Sequence, residues 1–145
     1  MFTVALDNVK SGVNLGMAVR AVACYGGDMV VYSGRRVKPY PTSVGHEHSV
    51  PILQSLDIFD SIPNNHVPVA IEFVMSALPL TSYVHPTHAY YIFGAEDNTL
   101  GKRVLDRCRD VVYIHTEHCM NLAACVNVVL YDRTAKIERY CNSTG

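Results

Sequence analysis

Residues 92–103 read IFGAEDNTLGKR. A strand-like apolar run ends at Gly94, a short acidic loop follows, and a helix is expected to begin soon after. In an open α/β sheet, ligands bind at such junctions, beyond the carboxyl ends of the strands. A phosphate loop would need G-x-G-x-x-G or G-x-x-x-x-G-K-[ST], with backbone N–H groups converging on an anion. Here Gly94 and Gly101 are seven apart, and Glu96 and Asp97 stand where an anion would be repelled. The stretch suits a nucleotide-like ligand that is not led by a phosphate.

Working outward, FTVALDNV (2–9), DMVVYS (28–33), VPVAIEFV (67–74), AYYIFG (89–94) and DVVYIH (110–115) read as strands. NLGMAVRAVACYG (14–26) reads as a helix, with Asn14 as N-cap and Gly26-Gly27 ending it. The longest helix is expected from Asn121 to about Tyr140, apolar all round in its first half and amphipathic in its second. The stretch 34–49, rich in Gly, Pro, Ser and Arg, reads as an exposed loop. Short apolar strands alternating with helices imply a mostly parallel sheet with helices on both faces. Three segments then cluster at strand carboxyl ends: 10–20, 94–101 and 114–121.

Bulk numbers narrow the function classes. A chain of 145 residues is expected to form a single domain, 1–145, able to bury roughly 68–70% of its unfolded surface without staples. With 49% apolar and 17% charged residues, disordered and coiled-coil classes are excluded. No apolar run is long enough to span a membrane and the N-terminus has no basic n-region, so a cytoplasmic protein is expected. The five scattered cysteines, an odd number, fit buried free thiols in a reducing compartment. A net charge of −1 argues against holding nucleic acid by bulk electrostatics. It leaves room for a local basic patch, and SGRRVKPYPT (33–42) is one.

Three residues or loops carry the chemistry. Arg20 is the only charged residue between Lys10 and Asp28, in an otherwise apolar helix. Buried and unpaired it would cost several kcal/mol, so it must reach water, a carboxylate or a ligand; snorkelling to the surface is the plain alternative. Glu96 and Asp97 alone could cap a helix or simply be solvated. In IHTEHCMNLAACVNVVLYDR (114–133), a polar loop precedes a very apolar helix, with Asn121 a natural N-cap.

Together, in order and spacing, these segments resemble the three motifs of the SpoU/TrmH-type RNA 2′-O-ribose methyltransferases of the SPOUT class. The first resembles an Asn followed six residues later by an Arg, here Asn14 and Arg20. The second resembles a strand running into G-x-E-x-x-x-L, here Gly94, Glu96 and Leu100. The third resembles an Ile, a loop, then a small polar residue, an apolar residue and Asn at a helix start, here Ile114, Cys119, Met120 and Asn121. The chain departs from the family pattern at Cys119, where Ser is frequent, and at His115, where Pro is frequent. A thiol is a poorer hydrogen-bond partner than a hydroxyl.

The resemblance implies an α/β fold whose C-terminal part forms a deep trefoil knot, an exception to the usual absence of knots. It implies S-adenosylmethionine as cofactor, its adenine held largely by backbone groups around Ile71 or Glu72, Phe93, Gly94, Ala95, Ile114 and the turn of Cys119, Met120, Asn121, Leu122 and Ala123. It implies methyl transfer to a ribose 2′-OH, with tRNA favoured over rRNA. Arg20 would contact the 2′-OH and adjacent phosphate, Asn14 would orient Arg20 or the RNA, and Glu96 and Asn121 would shape the site. A homodimer through helices 14–25 and 121–140 is implied as well. Without an appended RNA-binding domain, recognition would fall to Arg35, Arg36 and Lys38, with Tyr40 to stack on a base.

Other readings stand beside this one. His46 and His48, His85 and His88, or His115, His118 and Cys119 could ligate a metal, but no C-x-x-C pair exists and the histidines fall in unrelated loops; no metal is expected. A non-catalytic RNA-binding or assembly protein that keeps the knotted fold is the alternative from a different class. A generic nucleotide-binding domain meets the phosphate-loop mismatch.

Overall fold

The computed structural model describes residues 1–37 and 50–144. In chain order the elements are β1 (Phe2–Leu6), α1 (Gly12–Cys24), β2 (Met29–Ser33), β3 (Ile52–Ser55), β4 (Val67–Ile71), β5 (Leu78–Pro79), β6 (Ala89–Phe93), α2 (Lys102–Leu105), β7 (Asp110–Tyr113) and α3 (Leu122–Thr144). Two 3-10 turns, Ile58–Ser61 and Leu80–Ser82, complete them. The strands form one seven-stranded sheet in the order β3-β2-β1-β6-β4-β7-β5. Every pairing is parallel, with Val4 beside both Val30 and Tyr91, and Val69 beside Tyr91.

The central strands β1 and β6 are buried at every position, which is why they read as continuous apolar runs. One face packs Val4, Leu6, Tyr91 and Phe93 against Leu15, Val19 and Val22 of α1 and Leu122, Val126 and Val129 of α3. The opposite face packs Ala5, Val31, Ala70, Tyr90 and Ile92 under Ile58, Leu100 and Val104. Helices on both faces were expected from the strand pattern. Helices do lie on both faces, but both long ones share one, and the other is roofed by the single-turn α2, the 3-10 turn at Ile58–Ser61 and loop side chains. A short cover suffices because the second cluster asks for only a few apolar side chains.

Several boundaries also differ from the sequence reading. β1 stops at Leu6 because Asn8 adopts a positive φ of 55°, turning the chain. β4 stops at Ile71, where Glu72 turns toward the 98–101 loop. The N-cap of α1 is Ser11, whose side chain accepts from the Asn14 N–H, so Asn14 lies inside the first turn. The strands β3 and β5 had no expected counterpart. No disulfide forms among the described residues, and Cys24, Cys119 and Cys141 are exposed and Cys108 and Cys125 half-buried, against the expectation of burial.

Because all strands run the same way, the ends of β1, β4, β6 and β7 and the starts of α1 and α3 meet at one edge of the sheet. The site lies there. At the other edge α3 is fastened to the chain around β5 and β6.

Candidate active site

Glu96 is the hub of this edge. Its carboxylate accepts from the Lys10 N–H (2.9 Å), the Ser11 N–H (2.8 Å) and the Asn14 side-chain amide (3.0 Å). Burial alone would raise its pKa; the hydrogen bonds from Lys10, Asn14 and Ser11 outweigh that and hold it below the usual carboxylate range. Asn14 is free to take part because Ser11 does the capping. Its side-chain oxygen accepts from the Asn121 amide at 3.2 Å, and the Asn121 oxygen in turn accepts from the Ala124 N–H. Glu96, Asn14 and Asn121, from three distant segments, thus form one hydrogen-bonded chain, with Asn121 capping α3. Arg20 is exposed and outside it, forming no hydrogen bond or ion pair among the described residues. It lies about 120° around α1 from Asn14 by helical geometry.

Beside this chain opens a cavity of about 870 Å3. Of the residues expected to hold a cofactor, Ile71, Glu72, Phe93, Gly94, Ala95, Glu96, Ile114, Cys119, Met120 and Leu122 line it. Ala123 does not: it is fully buried. The sequence reading missed Phe73, Asp97, Asn98, Thr99, Thr116, Glu117, His118 and Cys125. The loops carrying most of them were legible as loops; Cys125, one turn into an apolar helix, gave no signal.

The 94–101 loop folds back over Gly94, where an added Cβ would lie 3.3 Å from both the Leu100 backbone nitrogen and its Cγ. The loop is fixed from below by Glu72, whose carboxylate accepts from the Leu100 N–H at 3.0 Å. Among the described residues, 115–120 form no backbone–backbone hydrogen bond, and the Met120 carbonyl accepts only from the Cys125 thiol at 3.8 Å, which leaves most of this backbone open to a ligand. Four carboxylates line the cavity, Glu72, Glu96, Asp97 and Glu117, and no lysine or arginine among the described residues does. Apolar walls, open backbone groups and negative charge suit a flat heteroaromatic ligand bearing a cation; they do not suit a phosphate.

Of the residues expected to meet RNA from the 34–42 loop, Arg35 is exposed, Arg36 is bound to Asp97, and Lys38 and Tyr40 lie outside the described residues. So do His46 and His48. Among the described residues no three His, Cys, Asp or Glu side chains converge as metal ligands, and no helix is long and apolar enough to cross a membrane.

The family model of the SpoU rRNA Methylase family matches residues 1–131. The chain belongs to that family. In fold it is similar to the SpoU methyltransferase AviRb from Streptomyces viridochromogenes, solved in complex with AdoMet. That match has a TM-score of 0.80 and 17% identity, covering 92% of this chain and 57% of that one. It is similar to the A. aeolicus TrmH/SpoU tRNA modifying enzyme at a TM-score of 0.81 and 16% identity, over 96% of this chain and 76% of that one. A third structure, from work on 2-OH methylation of C/U34 on tRNA, has a TM-score of 0.80 and 19% identity, over 95% and 97% of the two chains. No curated protein matches the sequence. The chain therefore spans just over half of AviRb but nearly all of the third protein.

Proposed function

We propose that the protein is an S-adenosylmethionine-dependent RNA methyltransferase that acts on a ribose 2′-OH, with tRNA favoured as substrate. The observation that carries this is the Glu96–Asn14–Asn121 chain beside an acidic, phosphate-averse cavity, in a member of the SpoU family. The sulfonium cofactor supplies an electrophilic methyl group and a good leaving group. The chain's own task is then to bind, orient and exclude water. The apolar walls at Ile71, Phe93, Ile114 and Leu122 and the open backbone of 115–120 would hold the adenosyl part. Glu72, Glu96 and Glu117 favour a positive ligand by charge, Asp97 being paired with Arg36.

Arg20 would contact the 2′-OH and the adjacent phosphate, as a bidentate donor suited to phosphate. It cannot do so from inside this cavity, which it does not line. A second copy solves the problem. Val13, Met17, Arg20 and Cys24 form one exposed stripe of α1, at i, i+4, i+7 and i+11. On the adjoining α3, Val128 and Tyr131 are exposed too. A homodimer covering these apolar side chains would bring Arg20 toward the partner's site. Arg35, exposed beside Arg36, is left for RNA. We also propose that the chain is threaded as a trefoil knot, because β6 and β7 are inserted between strands that precede them in the chain; an experimental chain trace through 94–121 tests that. A cytoplasmic enzyme fits this reading.

Calorimetric titration with S-adenosylmethionine and S-adenosylhomocysteine, with Gly94→Trp as blocked-site control, tests the cofactor. Saturable binding to the native sequence, absent from the control, is expected. Transfer of labelled methyl to a 2′-O position in bulk tRNA then tests the substrate. No binding at millimolar ligand by a folded dimer would favour a non-catalytic RNA-binding protein instead.

A further inference from the structure

Arg36 reads in the sequence as an RNA contact, in the basic run RRVK. In the structure its guanidinium is already engaged. Nη1 donates to Asp97 Oδ2 at 2.8 Å and Nη2 to Asp97 Oδ1 at 2.9 Å, a two-pronged pair. Nη2 also donates to the Asn8 backbone carbonyl at 2.6 Å.

Both anchor points are themselves fixed. Asn8 holds a positive φ of 55° and donates its N–H to Ser33 Oγ at 2.9 Å, and that hydroxyl donates to Asp7 at 2.9 Å. Gly34 packs so closely that an added Cβ would lie 2.3 Å from the Asn8 side-chain oxygen. Arg36 therefore reaches from the welded ends of β1 and β2 onto Asp97, which lines the cavity. The loop 94–101 has two other ties, Glu96 to the start of α1 and Leu100 to Glu72. Between these, Asp97 is held only by Arg36 among side-chain partners in the described residues. Without it, adjacent carboxylates at 96 and 97 would repel each other, and the loop's middle would be free to swing off the cavity.

We propose that Arg36 is a positioning residue for the cofactor loop and not an RNA ligand: by clamping Asp97 to the ends of β1 and β2, it sets the cavity wall. This rests on the reading of the cavity as the S-adenosylmethionine site.

The test measures affinity for S-adenosylmethionine in the absence of RNA, for the full chain and for Arg36→Ala, Arg36→Lys and Asp97→Asn. Arg36→Ala and Asp97→Asn should each bind about fivefold more weakly, the scale of a well-formed exposed ion pair. The double variant should be no worse than either single one, since both remove the same contact. Lysine keeps the charge but cannot fork, so Arg36→Lys should recover part of the loss. The deficit should shrink at 1 M salt, where the pair is screened; simple misfolding would not respond that way. Binding of bulk tRNA by the S-adenosylhomocysteine-loaded protein should stay within about twofold of native for Arg36→Ala, and fall for Arg35→Ala. Unchanged cofactor affinity in folded Arg36→Ala and Asp97→Asn would overturn the proposal, as would tRNA binding that falls with Arg36→Ala as it does with Arg35→Ala. Failure of the native chain to bind the cofactor at all would instead overturn the cavity reading on which it stands.

Discussion

The first turn and the middle of α3 are built on opposite plans. Its first turn, at Leu122 and Cys125, lines the cavity, and the polar groups beside it are exposed or open: Glu96, Asn14 and Asn121 bond one another around a space left for a ligand. Two and a half turns on, the polar groups are closed in. Arg133, only 4% exposed, donates to the Pro86 and Thr87 carbonyls at 2.8 Å and to the Tyr91 hydroxyl at 3.0 Å. His85 bridges Tyr91 (2.6 Å) and Asp132 (2.7 Å), and Lys136 joins Asp132 to the carbonyls of Leu80 and Tyr83. The directions are consistent with neutral His85: Nε2–H donates to Asp132, while Nδ1 accepts from the Tyr91 hydroxyl, which accepts from Arg133. The middle of the helix is fastened by side-chain bonds, while its first turn borders the cavity. Stability and chemistry are separable along a single element.

That separation is easiest to break at Arg133. Removing the guanidinium leaves the Pro86 and Thr87 carbonyls and the Tyr91 hydroxyl short of a donor in a buried setting. Arg133→Ala should cost about 3 kcal/mol in urea unfolding followed by circular dichroism. Its folded fraction should bind S-adenosylmethionine with native affinity. A large loss of affinity at unchanged stability would show that the two regions are not independent.

The converse experiment is Arg20→Ala. Methyl transfer should fall about 100-fold or more, equivalent to about 2.7 kcal/mol of activation free energy. The urea midpoint should not move, since Arg20 is exposed and unpaired among the described residues. A drop in stability matching the drop in activity would reduce Arg20 to a structural residue.

Where the sequence was legible and where it was not follows the same division. β1, β2 and β6 are central or nearly so, and their side chains are buried on both faces, so apolar runs betrayed them. β3 lies at the edge with two of its four residues exposed, and β5 is two residues ending in Pro79; neither has a periodicity to read. Asn14 illustrates a subtler gap. Ser11 and Asn14 are both good caps, and only the fold shows that Ser11 takes the role and leaves the Asn14 amide for Glu96. The fastened middle left no local trace. Arg133 and its carbonyl partners lie 46 and 47 residues apart in the chain, and Arg36 and Asp97 lie 61 apart. The candidate site was visible because its three segments each carry chemistry at fixed spacing. The clamps that hold them are lone pairings between distant positions, without a pattern of their own.

A smaller effect distinguishes the two regions by pH. Burial, partly offset by Asp132, lowers the His85 pKa from its ordinary 6.5. Below pH 6.5 the unfolded chain therefore takes up a proton there that the folded chain refuses. Stability should then fall as pH drops from 7 toward 5, by at most about 1.4 kcal/mol per pH unit from this group. His85→Gln should flatten that slope. Glu96 is shifted in the same direction but from a lower ordinary value, so its contribution persists through this window and is lost only as pH falls below the ordinary carboxylate range. An unaltered slope in His85→Gln would mean that the fastened region does not exclude the proton.

The least effect is expected at Cys119, in the open region. Its thiol is exposed, lines the cavity and forms no hydrogen bond among the described residues. A hydroxyl there would be a better hydrogen-bond partner, but at an exposed position water competes for it, and the net gain of such a bond is small. Cys119→Ser should therefore change methyl transfer by no more than about threefold, a fraction of the roughly 1 kcal/mol that a hydrogen bond contributes on average. If serine raised transfer tenfold or more, the thiol would be a lesion in the site. Substrate would then have to be sought with the serine variant, and the native chain would be better described as an RNA-binding protein with residual turnover. If the change is small, the open region tolerates either atom because the shape set by Glu96, Asn14 and Asn121 governs it. The middle of α3 has less latitude, since Arg133, His85 and Lys136 each hold several partners there.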